Sequence, residues 1–226
     1  MAIRPTTMII VAIDGPAGAG KSTIAKALAG KLNLRYLDTG AMYRAVTFAA
    51  LTRKIDLRDE SLVANVAENS VMLIEDDLIS IDGMDATVAI RGAEVTRSVS
   101  LVAMNSQVRT ELRNRQRLWA SEHDGGVVEG RDIGSVVFPD ATLKVYLTAS
   151  PIVRAQRRVA QSGGDVNQIA AEIAERDQRD SSRSDSPLTK TDDSVTIDTS
   201  NRPIDDVVMQ LQHLVEKNIS GEETRA

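Results

Sequence analysis

An apolar run at residues 8–15, MIIVAIDG, passes directly into GPAGAGKSTIAK at residues 15–26, and no other feature constrains the chain as strongly. Residues 15–22 form a complete G-x-x-x-x-G-K-[ST] loop. Gly15, Gly18 and Gly20 let the backbone adopt conformations and close approaches that a Cβ would block, so successive N–H groups can turn inward and make an anion nest. The helix expected to open near Lys21 adds the positive end of its dipole, the Lys21 ammonium reaches the outer phosphates, and the Ser22 hydroxyl can ligate Mg²⁺. A strand candidate before the loop and the helical spacing of STIAKALAGKL after it supply the context that an isolated match lacks.

The 226 residues suffice for one domain, or one domain with an insertion. A net charge of −5 gives no sign of a nucleic-acid surface, and two Phe, three Tyr and one Trp offer few stacking platforms. The absence of cysteine excludes disulfides and thiolate metal sites and fits a cytoplasmic home. With two histidines and no His/carboxylate cluster, a zinc centre is not expected. The N-terminal apolar run is too short to span a membrane, and no targeting segment is expected.

Five apolar stretches bounded by turn residues read as strands: residues 8–13, 35–38, 126–129, 143–149 and 194–200. Helical patterns between them predict an α/β fold with a parallel sheet covered on both faces. Residues 70–90 break the alternation, because EDD and DGMD read as turns between short strands, and an antiparallel patch is expected there. The polar tail at 218–226 is expected to fray.

No glycine has an aspartate three residues before it, which removes the D-x-x-G switch of signalling GTPases. TKTD at residues 189–192 mimics a guanine-reading motif but follows SSRSDSP rather than a strand. The arginines say more: Arg44, Arg109, Arg131, Arg157, Arg158, Arg176, Arg179 and Arg183 come from separated segments. Passing a phosphoryl group between two anionic nucleotides is chiefly positioning plus neutralisation of charge, and several arginines from distant segments suit that task. Arg176, Asp180 and Arg183 share one helix face, although ordinary i,i+4 surface pairs occupy the same stretch. GRDIG holds Arg131 and Asp132 between two glycines at a strand end, where open α/β sheets bind ligands. In DTGAMYR, Thr39 reads as a helix N-cap and Tyr43 as core, which is compatible with presenting Arg44 one turn later.

AIDGPAGAGKS, LDTGAMYRA, VVEGRDIGSVVFPDA, KVYLTAS and ERDQRDSSR stand in the order that resembles the bacterial cytidylate kinases, over nearly the whole chain. The resemblance implies a P-loop core of the nucleoside monophosphate kinase type, a five-stranded parallel sheet flanked by helices, within a single domain over residues 1–226. It further implies an inserted antiparallel CMP-binding subdomain at 66–104 and a short lid at 155–182. The implied reaction is transfer of the γ-phosphoryl group of ATP to CMP or dCMP with Mg²⁺, in a cytoplasmic protein that is expected to be a monomer and to bind neither nucleic acid nor membrane. ATP is put on Gly15, Pro16, Ala17, Gly18, Ala19, Gly20, Lys21, Ser22 and Thr23, with Arg157 and Arg158 over it. The CMP phosphate falls near Arg44 and Arg131, the cytosine near Thr39, Ser100, Arg109 and Asp132 with Tyr43 beside them, and the ribose near Arg176 and Asp180. Lys21, Arg131, Arg176 and Arg183 carry the catalytic roles, and Ser22 the metal. Thr39 stands where a serine is frequent, and Glu129 where an aspartate occurs in some members, which leaves the place of Glu129 near Mg²⁺ open. A P-loop kinase for another small acceptor, or a regulatory module that binds ATP without an acceptor, are the alternatives; acceptor-dependent ADP release separates them.

Overall fold

The computed structural model describes residues 8–75 and 78–223. The eight strands and eight helices of those residues run β1 (Ile9–Asp14), α1 (Lys21–Leu32), β2 (Tyr36–Asp38), α2 (Thr39–Thr52), α3 (Glu60–Asn69), β3 (Met72–Ile74), β4 (Ile79–Ile81) and β5 (Met84–Asp85). They continue as α4 (Ala93–Val102), α5 (Ser106–Glu122), β6 (Gly125–Gly130), β7 (Leu143–Thr148), α6 (Pro151–Ser162), α7 (Val166–Ser181), β8 (Val195–Asp198) and α8 (Ile204–Glu223). A 3₁₀ turn at Ala89–Arg91 precedes α4, and a π-helical turn at Ile133–Val137 follows β6.

All five expected core strands form one parallel sheet in the order β2-β6-β1-β7-β8. Alternation along β1 serves two layers, since successive side chains of a strand point to opposite faces. Ile10 and Ala12 join the core under α2, α3 and α5, whereas Val11 and Ile13 join the core under α1 and α8. The chain runs from β1 to one side of the sheet and returns to the other through β7, so the switch in strand order lies at β1 and β6. Ligands of open α/β sheets bind outside the carboxyl ends of strands at that point. The phosphate loop after β1, Asp38 after β2 and Arg131 after β6 all emerge there.

The antiparallel patch is also present, with β3, β4 and β5 in sequence order and Ile79 and Ile81 buried. The turn at EDD falls on Asp76 and Asp77, outside the described residues. The expected start of the insertion at residue 66 lies within α3. The lid region is a hairpin of α6 and α7 joined by Gly163 and Gly164, both at positive φ. The tail departs from expectation: α8 continues through Glu223 because Val207, Val208, Leu211 and Val215 fasten it to the sheet, and residues 224–226 lie outside the described ones.

Candidate active site

Residues 15–20 turn tightly between β1 and α1, with Gly15, Gly18 and Gly20 at φ of 148°, 77° and 88°. Gly15 is required twice over, since a Cβ there would also stand 2.0 Å from the Leu147 carbonyl oxygen. Lys21 opens α1 and donates from Nζ to the Pro16 carbonyl at 3.0 Å, within its own loop. Burial drives the Lys21 ammonium down to about 7, the Arg131 charge adds to this, Glu129 opposes it, and Arg176 adds again. Ser22 and Thr23 are exposed at the helix start.

Glu129, at the end of β6, accepts hydrogen bonds from the Tyr36 hydroxyl and from Ser22. Burial, then the charge of Asp38, pushes the Glu129 carboxyl up. Asp14, the last residue of β1, accepts from the backbone N–H of Ile133 at 2.8 Å and of Gly134 at 2.7 Å. Neither Tyr36 nor Asp14 stood out in the sequence, although an acid closing a wholly apolar run was a usable signal for Asp14.

Arg131 donates to Asp180 at 2.8 Å and to the Gly15 carbonyl at 2.7 Å, tying β6, α7 and the phosphate loop together. Arg183 donates to the Asp180 carbonyl at 3.1 Å and lies 3.5 Å from its carboxylate. Arg176 and Asp180 share a face of α7 as expected, but α7 ends at Ser181, so Arg183 reaches Asp180 from the segment after the helix and not from its face. Glu175 and Arg179 make the exposed i,i+4 pair. Burial lowers Arg176 to about 9, with the charges of Arg131 and Arg44 next. Arg44 donates to the Ile90 carbonyl at 3.2 Å and to Thr96 at 3.0 Å, and burial lowers it to about 10 against the pull of Asp38, with Arg158 among the cations that repel it. Such a group of mutually repelling cations is stabilised by a polyanion.

Arg109 and Asp132, both buried, are 2.5 Å apart. Asp132 thus pairs with Arg109 on α5, while its neighbour Arg131 pairs with Asp180 on α7. Arg109 also lies 5.5 Å from the Tyr43 ring centre, and burial raises the Tyr43 phenol to about 12. Thr39 donates from its hydroxyl to the Glu129 carbonyl at 2.7 Å. It is the first residue of α2 and not the cap: Asp38 caps, accepting from the Ala41 N–H at 3.0 Å. Both residues are good caps, and spacing alone did not choose between them. Ser100 is buried on α4. Arg176 Nε is a buried donor with no hydrogen-bond acceptor among the described residues, whereas Arg109 Nε and Arg183 Nη2 make no hydrogen bond but face carboxylates, Asp185 at 3.9 Å and Asp180 at 3.5 Å. A buried donor without an acceptor is one that an incoming ligand can satisfy.

Arg157 is held by Thr199, with donors at 2.9 Å and 2.7 Å, and approaches the Gly18 carbonyl at 3.4 Å. Asp177, a third residue the sequence did not single out, accepts from the Ala17 N–H at 3.1 Å and from Arg154. Its partners lie 160 and 23 residues away, so no local pattern marks it.

A central anion loop, a facing set of arginines and a helical hairpin above them define a P-loop protein of the kinase class. Solved structures agree on the fold: a gluconokinase from Sinorhizobium meliloti aligns at a TM-score of 0.54 and 12% identity, over 97% of this chain and 98% of that one. An uncharacterised protein from Eubacterium ventriosum aligns at 0.55 and 14%, over 92% and 98%. The family model for cytidylate kinase matches residues 11–217. A cytidylate kinase of Streptomyces avermitilis is 46% identical over 96% of both chains, and one of Desulforamulus reducens is 47% identical over 92% of this chain and 96% of its own. The chain belongs to the cytidylate kinase family.

Proposed function

We propose that this protein transfers the γ-phosphoryl group of ATP to CMP or dCMP, giving ADP and the diphosphate. The observation that carries the reading is the buried Arg109–Asp132 pair beside Thr39, set at the same sheet edge as the phosphate loop. Cytosine presents an exocyclic amine and an unprotonated ring nitrogen, and a carboxylate beside a guanidinium supplies the matching acceptor and donor. Residues 15–23 cradle the triphosphate, with Arg158 at its edge and Arg157 bracing the loop. Arg44 and Arg131 hold the CMP phosphate, Arg176 and Asp180 the ribose, with Tyr43 and Ser100 lining the base pocket. Lys21, Arg131, Arg176 and Arg183 follow the charge as it moves onto the bridging and equatorial oxygens. Residues 66–104 close over CMP, and residues 155–182 over ATP.

The described residues contain no group of three or more His, Cys, Asp or Glu placed to hold a metal. That fits Mg²⁺, which keeps waters and takes few protein ligands beside substrate phosphates. Ser22 would hold it, with Glu129 bonded to Ser22; when bound with ATP it neutralises charge on the transferred group. We place the protein in the cytoplasm as a monomer; no described helix is long and apolar enough to cross a membrane. The test is ADP release by purified protein offered each nucleoside monophosphate in turn. CMP and dCMP should drive turnover, with UMP lower in kcat/KM by on the order of 10²-fold and purines inert. ADP release indifferent to every monophosphate would overturn the reading.

A further inference from the structure

Asp14 occupies a position that the roles above leave unexplained. It is 5% exposed, carries a carboxylate, and directs both oxygens at consecutive backbone N–H groups, Ile133 at 2.8 Å and Gly134 at 2.7 Å. Those amides begin the π-helical turn that follows Arg131 and Asp132. Strand pairing already aligns Asp14 with Gly130, so the carboxylate adds a second and different link between the strand that carries the ATP loop and the loop that carries the acceptor residues. Packing leaves that loop little freedom to compensate: a Cβ on Gly130 would meet Ile133 Cδ1 at 2.6 Å and the Thr39 hydroxyl at 2.7 Å.

We propose that Asp14, in its charged form, is a positioning residue that fixes the 131–134 loop and thereby sets Arg131 and Asp132 for the acceptor nucleotide. The proposal rests on the reading of the preceding section. Each N–H faces its own oxygen, and only a carboxylate offers a full acceptor at both, since protonation weakens one of the two and an amide replaces it with an NH₂ donor. A carboxylate is also the costly choice, because a buried charge loses its hydration. Burial accordingly raises the Asp14 carboxyl to about 6; the two backbone hydrogen bonds oppose the rise, Asp132 adds to it and Lys21 opposes it. From β7, Tyr146 and Lys144 also face this corner, and Lys144 is itself paired with Asp193 at 2.6 Å. The fixing of the loop is therefore complete well above pH 6 and lost as the pH falls through about 6.

Hydrogen exchange on the ligand-free full chain reads the two bonds directly. In the wild type the protection factors of Ile133 and Gly134 should fall by about tenfold or more between about pH 8 and pH 5, while Val127 and Val128 of β6 keep theirs. In Asp14→Asn the two amides should be weakly protected at both pH values. In kinetics, Asp14→Asn should raise KM for CMP about tenfold and lower kcat, with KM for ATP changed less than about twofold. The ratio of wild-type to variant kcat/KM for CMP should shrink toward one below about pH 6. That ratio cancels the titration of the CMP phosphate, which has its own pKa near 6. A ratio independent of pH, or equal loss for ATP and CMP, would reduce Asp14 to a structural staple and overturn the proposal. So would full protection of Ile133 and Gly134 in the wild type at pH 5, an arm that needs no folded variant and no CMP turnover.

Discussion

Lys21 shows how a single residue is prepared for charge that arrives later. Without nucleotide its ammonium donates to the Pro16 carbonyl and stands between the cations Arg131 and Arg176 and the acids Glu129 and Asp14, and burial holds it near 7. A triphosphate reverses the balance, so near pH 8 ATP binding should draw about one proton from solution. Calorimetry in buffers of different ionisation enthalpy measures this, and Lys21→Ala should abolish it. The same variant should lose on the order of 10³-fold in kcat while remaining folded, because the lost contact strengthens as charge moves; retention of a tenth of kcat would remove Lys21 from that role. The base-reading role proposed for Asp132 is tested by substitution, and its partner governs the choice of variant. Asp132→Ala would strand the Arg109 guanidinium, 2% exposed, at a cost of about 3–5 kcal/mol. Asp132→Asn keeps the shape and offers an amide N–H where uracil presents a carbonyl. It should therefore bring the CMP-to-UMP ratio of kcat/KM toward one, whereas Lys21→Ala slows both and leaves the ratio alone. Equal loss on CMP and UMP in Asp132→Asn would exclude base reading.

The closure proposed over ATP rests on the α6–α7 hairpin. Its base is fastened: Arg154 and Asp177 are joined to each other and to Ala17, and Arg157 is anchored on Thr199. Its tip is Gly163 and Gly164, and a Cβ on Gly163 would meet nothing within 4 Å. Closure is thus confined to the stretch beyond Arg157. Water competes with CMP for the phosphoryl group, so an enzyme of this kind completes its site only when both substrates are present. ATP hydrolysis without CMP should be slower than the CMP-dependent rate by on the order of 10²-fold, and equal rates would sink the lid. The hairpin also marks the boundary of what spacing reveals. The parallel strands were readable because each is a short apolar run between turns, and the Arg176–Asp180 face of α7 because i and i+4 coincide on a helix, whereas the helix stop at Ser181, which takes Arg183 off that face, was not. The direction in which Arg157 reaches is a rotamer choice settled by Thr199, 42 residues away. The partners of Asp14 are amides 119 and 120 residues distant, made adjacent only by strand pairing that local pattern does not specify.

At the scale of the whole molecule, the carboxyl ends of β1 and β6 bring Lys21 and Arg131 close to the buried acids Asp14 and Glu129, the charges of Arg44 and Arg176 bear on the same group, and this arrangement weakens the ligand-free fold. Asp14 binds its proton more readily when folded, so its contribution is most favourable at acid pH and is lost as the pH rises through about 6. Glu129, raised by burial, acts in the same direction. Lys21 has the opposite sign of charge and a lowered value. Between about 7 and its unfolded value of 10.5 the unfolded chain binds more protons, so stability from this residue rises with pH there. At neutral pH the charged lysine is consequently a cost, retained for its work on phosphate, and stability is given up at a functional site. Replacing it with an uncharged side chain of similar length should release that cost. Lys21→Met, inactive as a kinase, should melt at a higher temperature than the wild type at pH 7 without nucleotide, and the gap should close toward about pH 10, where the native lysine is already neutral. Saturating ATP should reverse the order, since only the wild type then gains the ion pair, and ligand at about a hundred times its Kd adds about 2.7 kcal/mol. Calorimetric melting of both proteins across this pH range measures it. A Lys21→Met protein that melts below the wild type at pH 7 would mean that Glu129 and the Pro16 carbonyl already repay the burial of the ammonium, and that the empty site is not held in a strained electrostatic state.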